Sequence, residues 1–200
     1  MFVIGFGREI EVMSFDREKH HRRSIRLPGY SYIQAGAYFV TICTQGRECL
    51  FGDIVDGKMR LNDWGAVVRE EWLRTRIVRP DIELDAFVVM PNHFHGIICI
   101  GDGRGTARRA PTVERFGRPV PGSLPTIIRA LKSATTKRVN EMRKAPGTPL
   151  WQRNYYERII RDENELDRIR CYRQDNSAAW DIDRENPAAE PTKNAEFWQM

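Results

Sequence analysis

Residues 86–100 read AFVVMPNHFHGIICI, and this stretch decides the fold of the chain. Two apolar runs, rich in the β-branched and aromatic residues that favour strands, flank the pair Pro91-Asn92. So short a break between two strand-like runs predicts a β-hairpin. Because both runs are apolar, we expect the two strands to lie at the centre of a sheet.

The second run contains two histidines, His93 and His95, one residue apart. Residues two apart in a strand lie about 6.5–7 Å from each other and point to the same face, so both imidazoles share one face and Phe94 points to the other. Two such imidazoles are able to hold a divalent metal ion, but two ordinary histidines would give the same pattern. The HxHxDH pattern of metallo-hydrolases is missing, because Gly96 follows, and this disfavours a plain zinc hydrolase.

The segment before the hairpin predicts one strand and one helix. The strand lies in AYFVTICT, which begins at Ala37, and a piece rich in glycine turns follows it. Asn62 or Asp63 is a suitable N-cap for a helix that ends near Thr75, because apolar residues recur there at intervals of three and four.

The segment after the hairpin predicts a helix, a short strand and a last helix. Ser123 is a suitable N-cap for the first of these helices, and residues 151–160 are typical of a strand. Asp162, with Glu165 three residues later, forms a capping box for the last helix, which we expect to run to about Asn176.

Together these elements predict an α+β fold with the order βαββαβ and an additional C-terminal helix. This order matches the split βαβ, ferredoxin-like arrangement, in which two helices cover one face of an antiparallel sheet. We divide the chain into a basic N-terminal arm over residues 1–30, a folded domain over 31–180 and a loose tail over 181–200.

The composition narrows the class of protein. Hydrophobic residues make up 41% of the 200 residues, too many for a disordered chain, and no apolar run approaches the roughly 20 residues of a membrane helix. The start of the chain is a poor secretory signal, and the four cysteines show no CxxC spacing, which fits the cytoplasm. The net charge of +5 favours, weakly, a polyanionic partner.

Basic side chains in three segments are candidates for contacts with nucleic-acid phosphates. Such contacts bind without reading sequence and make binding depend on salt, although a solvated surface explains any single one of these residues better. The candidates are Arg22, Arg23 and Arg26 in the arm, Arg104, Arg108 and Arg109 in the Gly- and Pro-rich stretch 101–122, and Arg129, Lys132 and Lys137 on the second predicted helix.

MPNHFHGII resembles the HUH motif (histidine, bulky apolar residue, histidine) of single-tyrosine transposases. GAYFVTICT, the LFG at 50–52 and LWQRNYYERIIRDENELDRIR at 150–170 resemble, more closely, the REP-associated tyrosine transposase branch of that family. The resemblance runs from about Pro28 to Trp180. It implies a ferredoxin-like core that nicks single-stranded DNA at hairpin-forming sites, using Mg²⁺ or Mn²⁺ and a tyrosine on the helix after the last strand.

The resemblance also implies the roles of individual residues. Tyr172 on the last helix matches the position of the nucleophile, and His93 and His95 match the metal ligands. Asn176, four residues after Tyr172, matches a polar position that completes the metal site. The sequence departs from the family's pattern here, because Asn176 is followed by Ser177 and not by proline.

Tyr155 and Tyr156 are the other tyrosines near the site, and their place in a predicted strand indicates core packing instead of catalysis.

The implied function is a metal-dependent single-strand DNA endonuclease or transposase that works through a 5′-phosphotyrosine. Because that ester keeps the phosphodiester energy, strand transfer needs no nucleotide cofactor, and the sequence has no GxxxxGK[ST] motif. The alternative is a non-catalytic module that binds single-stranded nucleic acid on the same fold. We expect a cytoplasmic, nucleoid-associated protein with no membrane partner, and the resemblance favours a monomer over a homodimer.

Overall fold

The computed structural model describes residues 34–101, 120–183 and 185–189. The helices and strands in chain order are β1 (Gly36–Cys43), β2 (Gly52–Val55), β3 (Lys58–Leu61), α1 (Asp63–Val78), β4 (Ile82–Val89), β5 (His93–Ile100), α2 (Leu124–Met142), β6 (Tyr156–Ile160) and α3 (Glu163–Asp175). Two 3₁₀ turns cover Gln45–Arg47 and Trp180–Ile182. The predicted α+β class is confirmed.

One antiparallel sheet carries the fold, with its strands in the spatial order β4-β5-β1-β6. The predicted hairpin is present as β4 and β5, and the amide of Met90 donates to the carbonyl of His93 at its turn. β5 is paired on both sides, so the two histidines lie on an inner strand.

A second, two-stranded sheet lies between β1 and α1, where the sequence predicted only turns. Its strands β2 and β3 have four residues each and meet at Asp56-Gly57, which both have a positive φ. This backbone is typical of the tight turns that join hairpins. With this insertion set aside, the elements follow the predicted order, and α3 comes last.

The sheet has a separate apolar core on each face. Alternate side chains of the inner strands, such as Tyr38 and Phe94, pack against α1 and α2 through Trp72 and Leu131. The opposite face packs against α3, and the residues of this smaller core are Phe39, Ile97, Ile160, Leu166 and Ile169. His93, His95 and Ile97 occupy every second position of β5, so their side chains lie on the same face of the sheet. This is the face that α3 covers.

The last strand is shorter than predicted. β6 begins at Tyr156, whereas Trp151 forms only an isolated bridge with Thr44. Tyr155 is buried in the core beneath α1 and α2, as expected, but Tyr156 is half exposed. The two side chains differ because neighbouring residues of an extended chain point in opposite directions.

Part of the predicted tail packs back onto the domain. A loose segment was predicted from residue 181, yet Glu185 is 5% exposed and bonds to the end of β1. Residues 190–200 and the predicted arm 1–30 lie outside the described residues. Within the described ranges, no helix combines the length and the apolar character needed to cross a membrane.

Candidate active site

The two histidines of β5 form the centre of the candidate site. Their ring centroids are 4.5 Å apart and their planes make an angle of 68°, so the two imidazoles meet edge to face. Both side chains are buried, at 0% exposure for His93 and 4% for His95. The structure thus confirms that alternation along β5 brings both rings to one face of the sheet.

His95 is held by its neighbours across the sheet on β1. Thr41 is its partner in the strand register, and Oγ1 of Thr41 lies 2.8 Å from Nδ1 of His95. The ring of Phe39 stacks on the imidazole with centroids 5.2 Å apart. Burial lowers the pKa of His95 to about 3, so the imidazole is neutral near pH 7.

His93 is oriented by the residue before it. The amide nitrogen of Asn92 donates to the backbone carbonyls of Arg47 and Glu185, at 3.0 and 2.6 Å, which fixes the direction of the amide. Oδ1 of Asn92, which only accepts hydrogen bonds, therefore faces Nδ1 of His93 at 2.9 Å. Nδ1 is the donor, and in the neutral ring the lone pair lies on Nε2.

This lone pair is in the right state to bind a metal ion. Burial, and then the neighbouring His95, hold the pKa of His93 well below its usual range. Nε2 of His93 is buried and has no hydrogen-bond partner among the described residues. A histidine that binds a metal through one ring nitrogen typically donates a hydrogen bond from the N–H of the other nitrogen to an oxygen. Oδ1 of Asn92 supplies that oxygen here.

The other two predicted residues lie at the end of α3. Tyr172 is in the last turn of this helix, and its side chain is outside the described part of the structure. Asn176 follows directly after the helix, is 1% exposed, and neither atom of its amide has a hydrogen-bond partner among the described groups. A buried amide without a partner is costly, so Asn176 is suited to receive a ligand.

The donor atoms of His93, His95 and Asn176 are of types that bind a divalent ion, although the described groups do not form a complete cage. Across the described ranges, no three His, Cys, Asp or Glu side chains are grouped closely enough to hold a metal ion. His93, His95 and Asn176 would instead offer two imidazole nitrogens and one amide oxygen. This mixed set fits Mn²⁺ better than Mg²⁺, because Mg²⁺ is bound chiefly through oxygen.

The segment after α3 brings further groups to the histidines, which the sequence did not predict. The ring of Trp180 lies 6.0 Å from that of His93, and Oδ2 of Asp183 is 3.9 Å from Nε2 of His93. Glu185 anchors this segment. Its carboxylate lies 3.2 Å from Nε of Arg47, and the thiol of Cys43 donates to it at 3.6 Å.

The basic residues of α2 lie away from the histidines, because α2 packs on the opposite face of the sheet. Arg129 is exposed, and the exposed Lys137 lies 3.9 Å from Oε1 of Glu141. The ammonium of Lys132 donates to the carbonyls of residues 152, 153 and 154, and burial lowers its pKa to about 8. These bonds make Lys132 a structural contact between α2 and the chain before β6.

Six of the predicted DNA-binding residues fall outside the described residues, so their role stays a prediction. They are Arg22, Arg23, Arg26, Arg104, Arg108 and Arg109.

Comparisons with known proteins agree with this fold. No protein-family model matches the chain. An uncharacterized protein of Haemophilus influenzae is 40% identical over 169 residues, which span 82% of this chain and 93% of that protein. Among solved structures, a REP-associated tyrosine transposase bound to a REP hairpin is similar with a TM-score of 0.52 and 20% identity, over 78% of this chain and 72% of that one. At this identity the likeness concerns the fold alone.

Proposed function

We propose that this chain, which belongs to the same family as the Haemophilus influenzae protein and is similar in fold to the REP-associated tyrosine transposase, cleaves and rejoins single-stranded DNA. Its substrate would be DNA that forms hairpins, and its activity would need Mn²⁺ or Mg²⁺. The observation that carries the proposal is the pair of buried, neutral imidazoles on the face that α3 covers.

In this proposal the chain's own residues have separate tasks. The phenol oxygen of Tyr172 attacks the scissile phosphorus, the bond to the 3′ oxygen breaks, and the phenol proton is lost as the 3′ oxygen gains one. The products are a 5′-phosphotyrosine and a free 3′-hydroxyl, and the reverse attack by a 3′-hydroxyl rejoins the strand.

His93, His95 and Asn176 would hold the ion beside the phosphate. When bound, a divalent ion polarises a phosphate oxygen and offsets the negative charge that develops in the transition state. Asn92 and Thr41 would keep the two rings in place, since each lies within 3 Å of one Nδ1 atom.

A cavity next to the strand partner of His93 supports binding of a single strand. It has a volume of about 210 Å³ and is lined by Cys43, which pairs with His93 in the sheet, and by residues 152–156. Three of these residues, Arg153, Asn154 and Tyr156, are exposed. An arginine and an aromatic ring in one groove suit a phosphate and a stacked base.

The test is formation of a covalent adduct. The full chain is incubated with Mn²⁺ and single-stranded hairpin oligonucleotides and run on a denaturing gel. We expect a protein–DNA adduct that Tyr172→Phe abolishes and Tyr38→Phe keeps. Tyr38 is a matched control because its hydroxyl bonds to the carbonyl of Gln34, in the core on the other side of the sheet.

Two results would contradict the proposal. An adduct that survives in Tyr172→Phe would assign the nucleophile to another residue. Binding of the oligonucleotide without any adduct would favour the competing hypothesis, a non-catalytic module for single-stranded nucleic acid.

A further inference from the structure

We propose that Arg170 and Asp85 are positioning residues for the cleavage reaction, because their ion pair fixes the end of α3 that carries Tyr172. The pair joins α3 to β4, the strand next to the one that bears the two histidines. This inference rests on the proposed function, since it concerns the tyrosine that attacks the phosphate there.

The ion pair is bidentate. Nη2 of Arg170 donates to Oδ2 of Asp85 at 2.5 Å, and Nε lies 3.2 Å from both oxygens of the same carboxylate. Two N–H groups on one carboxylate restrict both the distance and the angle between the two side chains. The contact therefore limits how far α3 can slide or turn relative to β4.

The guanidinium of Arg170 is also held on its own helix. Its third nitrogen, Nη1, donates to Oδ1 of Asp167 at 2.9 Å and to Oε1 of Glu163 at 3.3 Å. Because the guanidinium is planar, these bonds help to set the direction of Nε and Nη2, which face β4. Acids on α3 thus orient the group that attaches the helix to the sheet.

A β-bulge in β4 brings Asp85 to the face of the sheet that α3 covers. Leu84 and Phe87 both pack in the core beneath α1 and α2, although strict alternation would place residues three apart on opposite faces. The register between β4 and β5 shifts between these two residues, as a bulge requires. The residues in between, Asp85 and Ala86, contact the other side, where Ala86 packs in the smaller core and Asp85 bonds to α3.

α3 is attached to both edges of the sheet. β6 and β4 are the edge strands, and near its start the helix bonds to β6 through Glu165 and Arg158. Later in the helix, Arg170 bonds to β4 at the opposite edge. The helix therefore crosses the inner strands, where His93 and His95 lie on β5. Attachments at both edges fix the direction of the helix, which a single attachment would leave free to swing.

The position of the helix end matters because Tyr172 follows Arg170 by two residues. Reacting atoms must approach to about 3–3.5 Å, and a misplacement of about 1 Å costs about a hundredfold in rate. The pair itself is partly exposed, with 38% of one side chain and 24% of the other accessible, so it adds little to overall stability. Its loss should therefore slow the reaction in a chain that stays folded.

The experiment compares Asp85→Asn with the wild type in the adduct assay, with Mn²⁺ and a single-stranded hairpin oligonucleotide. At saturating oligonucleotide we expect Asp85→Asn to form the adduct at least tenfold more slowly, while its Kd for the oligonucleotide stays within twofold. Glu83→Gln removes an exposed acid from the same strand and is the matched control, which should keep the wild-type rate. An unchanged rate in Asp85→Asn would overturn the inference.

A double-mutant cycle tests whether the two side chains act through their mutual bond. Arg170→Gln should also slow the adduct, and the variant that combines it with Asp85→Asn should be no slower than the slower single variant. Multiplied losses would show that the two residues act independently, against the inference. Arg168→Gln removes an exposed arginine from the same helix and should keep the wild-type rate.

Amide hydrogen exchange separates this inference from the proposed function, because it needs neither DNA nor metal. In Asp85→Asn we expect the amides in the last turn of α3 to exchange at least fivefold faster, while those of α1 keep their wild-type rates. Circular dichroism and the Tm confirm that each variant is folded.

The two readouts together distinguish the possible failures. If the wild type forms an adduct and Asp85→Asn changes neither its rate nor the exchange of α3, the inference is overturned and the proposed function stands. If the wild type forms no adduct, the proposed function is overturned. Faster exchange in Asp85→Asn would then still support the attachment of the helix end, and unchanged exchange would overturn that as well.

Discussion

Oδ1 of Asn92 lies 2.9 Å from Nδ1 of His93, while the amide nitrogen of the same asparagine bonds to two backbone carbonyls that belong to distant segments. One buried side chain thus selects the ring nitrogen that faces the site and joins three parts of the chain. In the sequence Asn92 is only the second residue of a hairpin turn.

The first prediction concerns the stability that Asn92 provides. Asn92→Ala removes three hydrogen bonds and leaves their partners buried, so we expect the free energy of unfolding to fall by about 2–4 kcal/mol. Urea denaturation measures this change. The exposed Asn154→Ala is the control and should stay within about 0.5 kcal/mol. A loss below 1 kcal/mol for Asn92→Ala would mean that this network is weaker than its geometry indicates.

The second prediction concerns pH. The unfolded chain protonates His95 near pH 6.5, whereas the folded chain keeps it neutral down to about pH 3. The unfolded state then binds more protons, so stability falls as the pH drops below 6.5. We expect His95 alone to account for about 2 kcal/mol between pH 6.5 and 5.

Urea denaturation in EDTA at several pH values measures this dependence. His95→Gln removes the titrating group, so its stability should fall less steeply with decreasing pH. Equal slopes for the two proteins would show that His95 takes up a proton in the folded state.

The third prediction concerns Gly96, which faces away from the histidines. A Cβ at this position would lie 2.6 Å from Cζ2 of Trp72, a fully buried ring. We expect Gly96→Ala to lower the free energy of unfolding by about 1–3 kcal/mol. Gly36→Ala is the control, because a Cβ at position 36 would have its nearest neighbour, in Tyr38, at 3.7 Å. It should lower the free energy of unfolding much less.

A double-mutant cycle tests whether Trp72 is the cause. In a Trp72→Phe background, Gly96→Ala should lower the free energy of unfolding by less than it does in the wild type, because the smaller ring leaves room for the methyl group. Equal costs in the two backgrounds would point to the backbone of β5 instead.

The fourth prediction concerns the attachment of α3, the helix that carries Tyr172. Glu165 accepts hydrogen bonds from Nε of Arg158 at 2.6 Å and from the amide of Arg161 at 2.9 Å, so it fastens the helix to β6. We expect Glu165→Ala to cost about 2–3 kcal/mol in urea denaturation, since it leaves a charged partner without its bond.

Glu163→Ala provides the matched control for Glu165→Ala. It removes an exposed acid from the same first helical turn and should change stability by less than about 0.5 kcal/mol. Similar losses in both variants would assign the effect to the charge at the helix start and not to the bonds with β6.

Local patterns predicted much of the fold. The run AFVVMPNHFHGIICI predicted the β4–β5 hairpin and the shared face of His93 and His95, because alternation is a property of any strand. Asn62 or Asp63 was predicted as an N-cap, and the cap is Asn62, whose side chain accepts from the amides of Trp64 and Gly65. The β2–β3 hairpin was missed, although Asp56-Gly57 is a turn signal, because strands of four residues show too little periodicity.

The amino-acid sequence by itself determined most of the strands and helices, though not the β2–β3 hairpin, and that two imidazoles share a face, since these features follow from neighbours in the chain. Only the tertiary structure decided that Asp183 meets His93 and that Glu185 is buried against Cys43. Those contacts join residues up to 142 positions apart through isolated polar contacts. Such contacts do not produce a repeating pattern in the sequence. They form only because the folded sheet and α3 place distant segments of the chain next to each other.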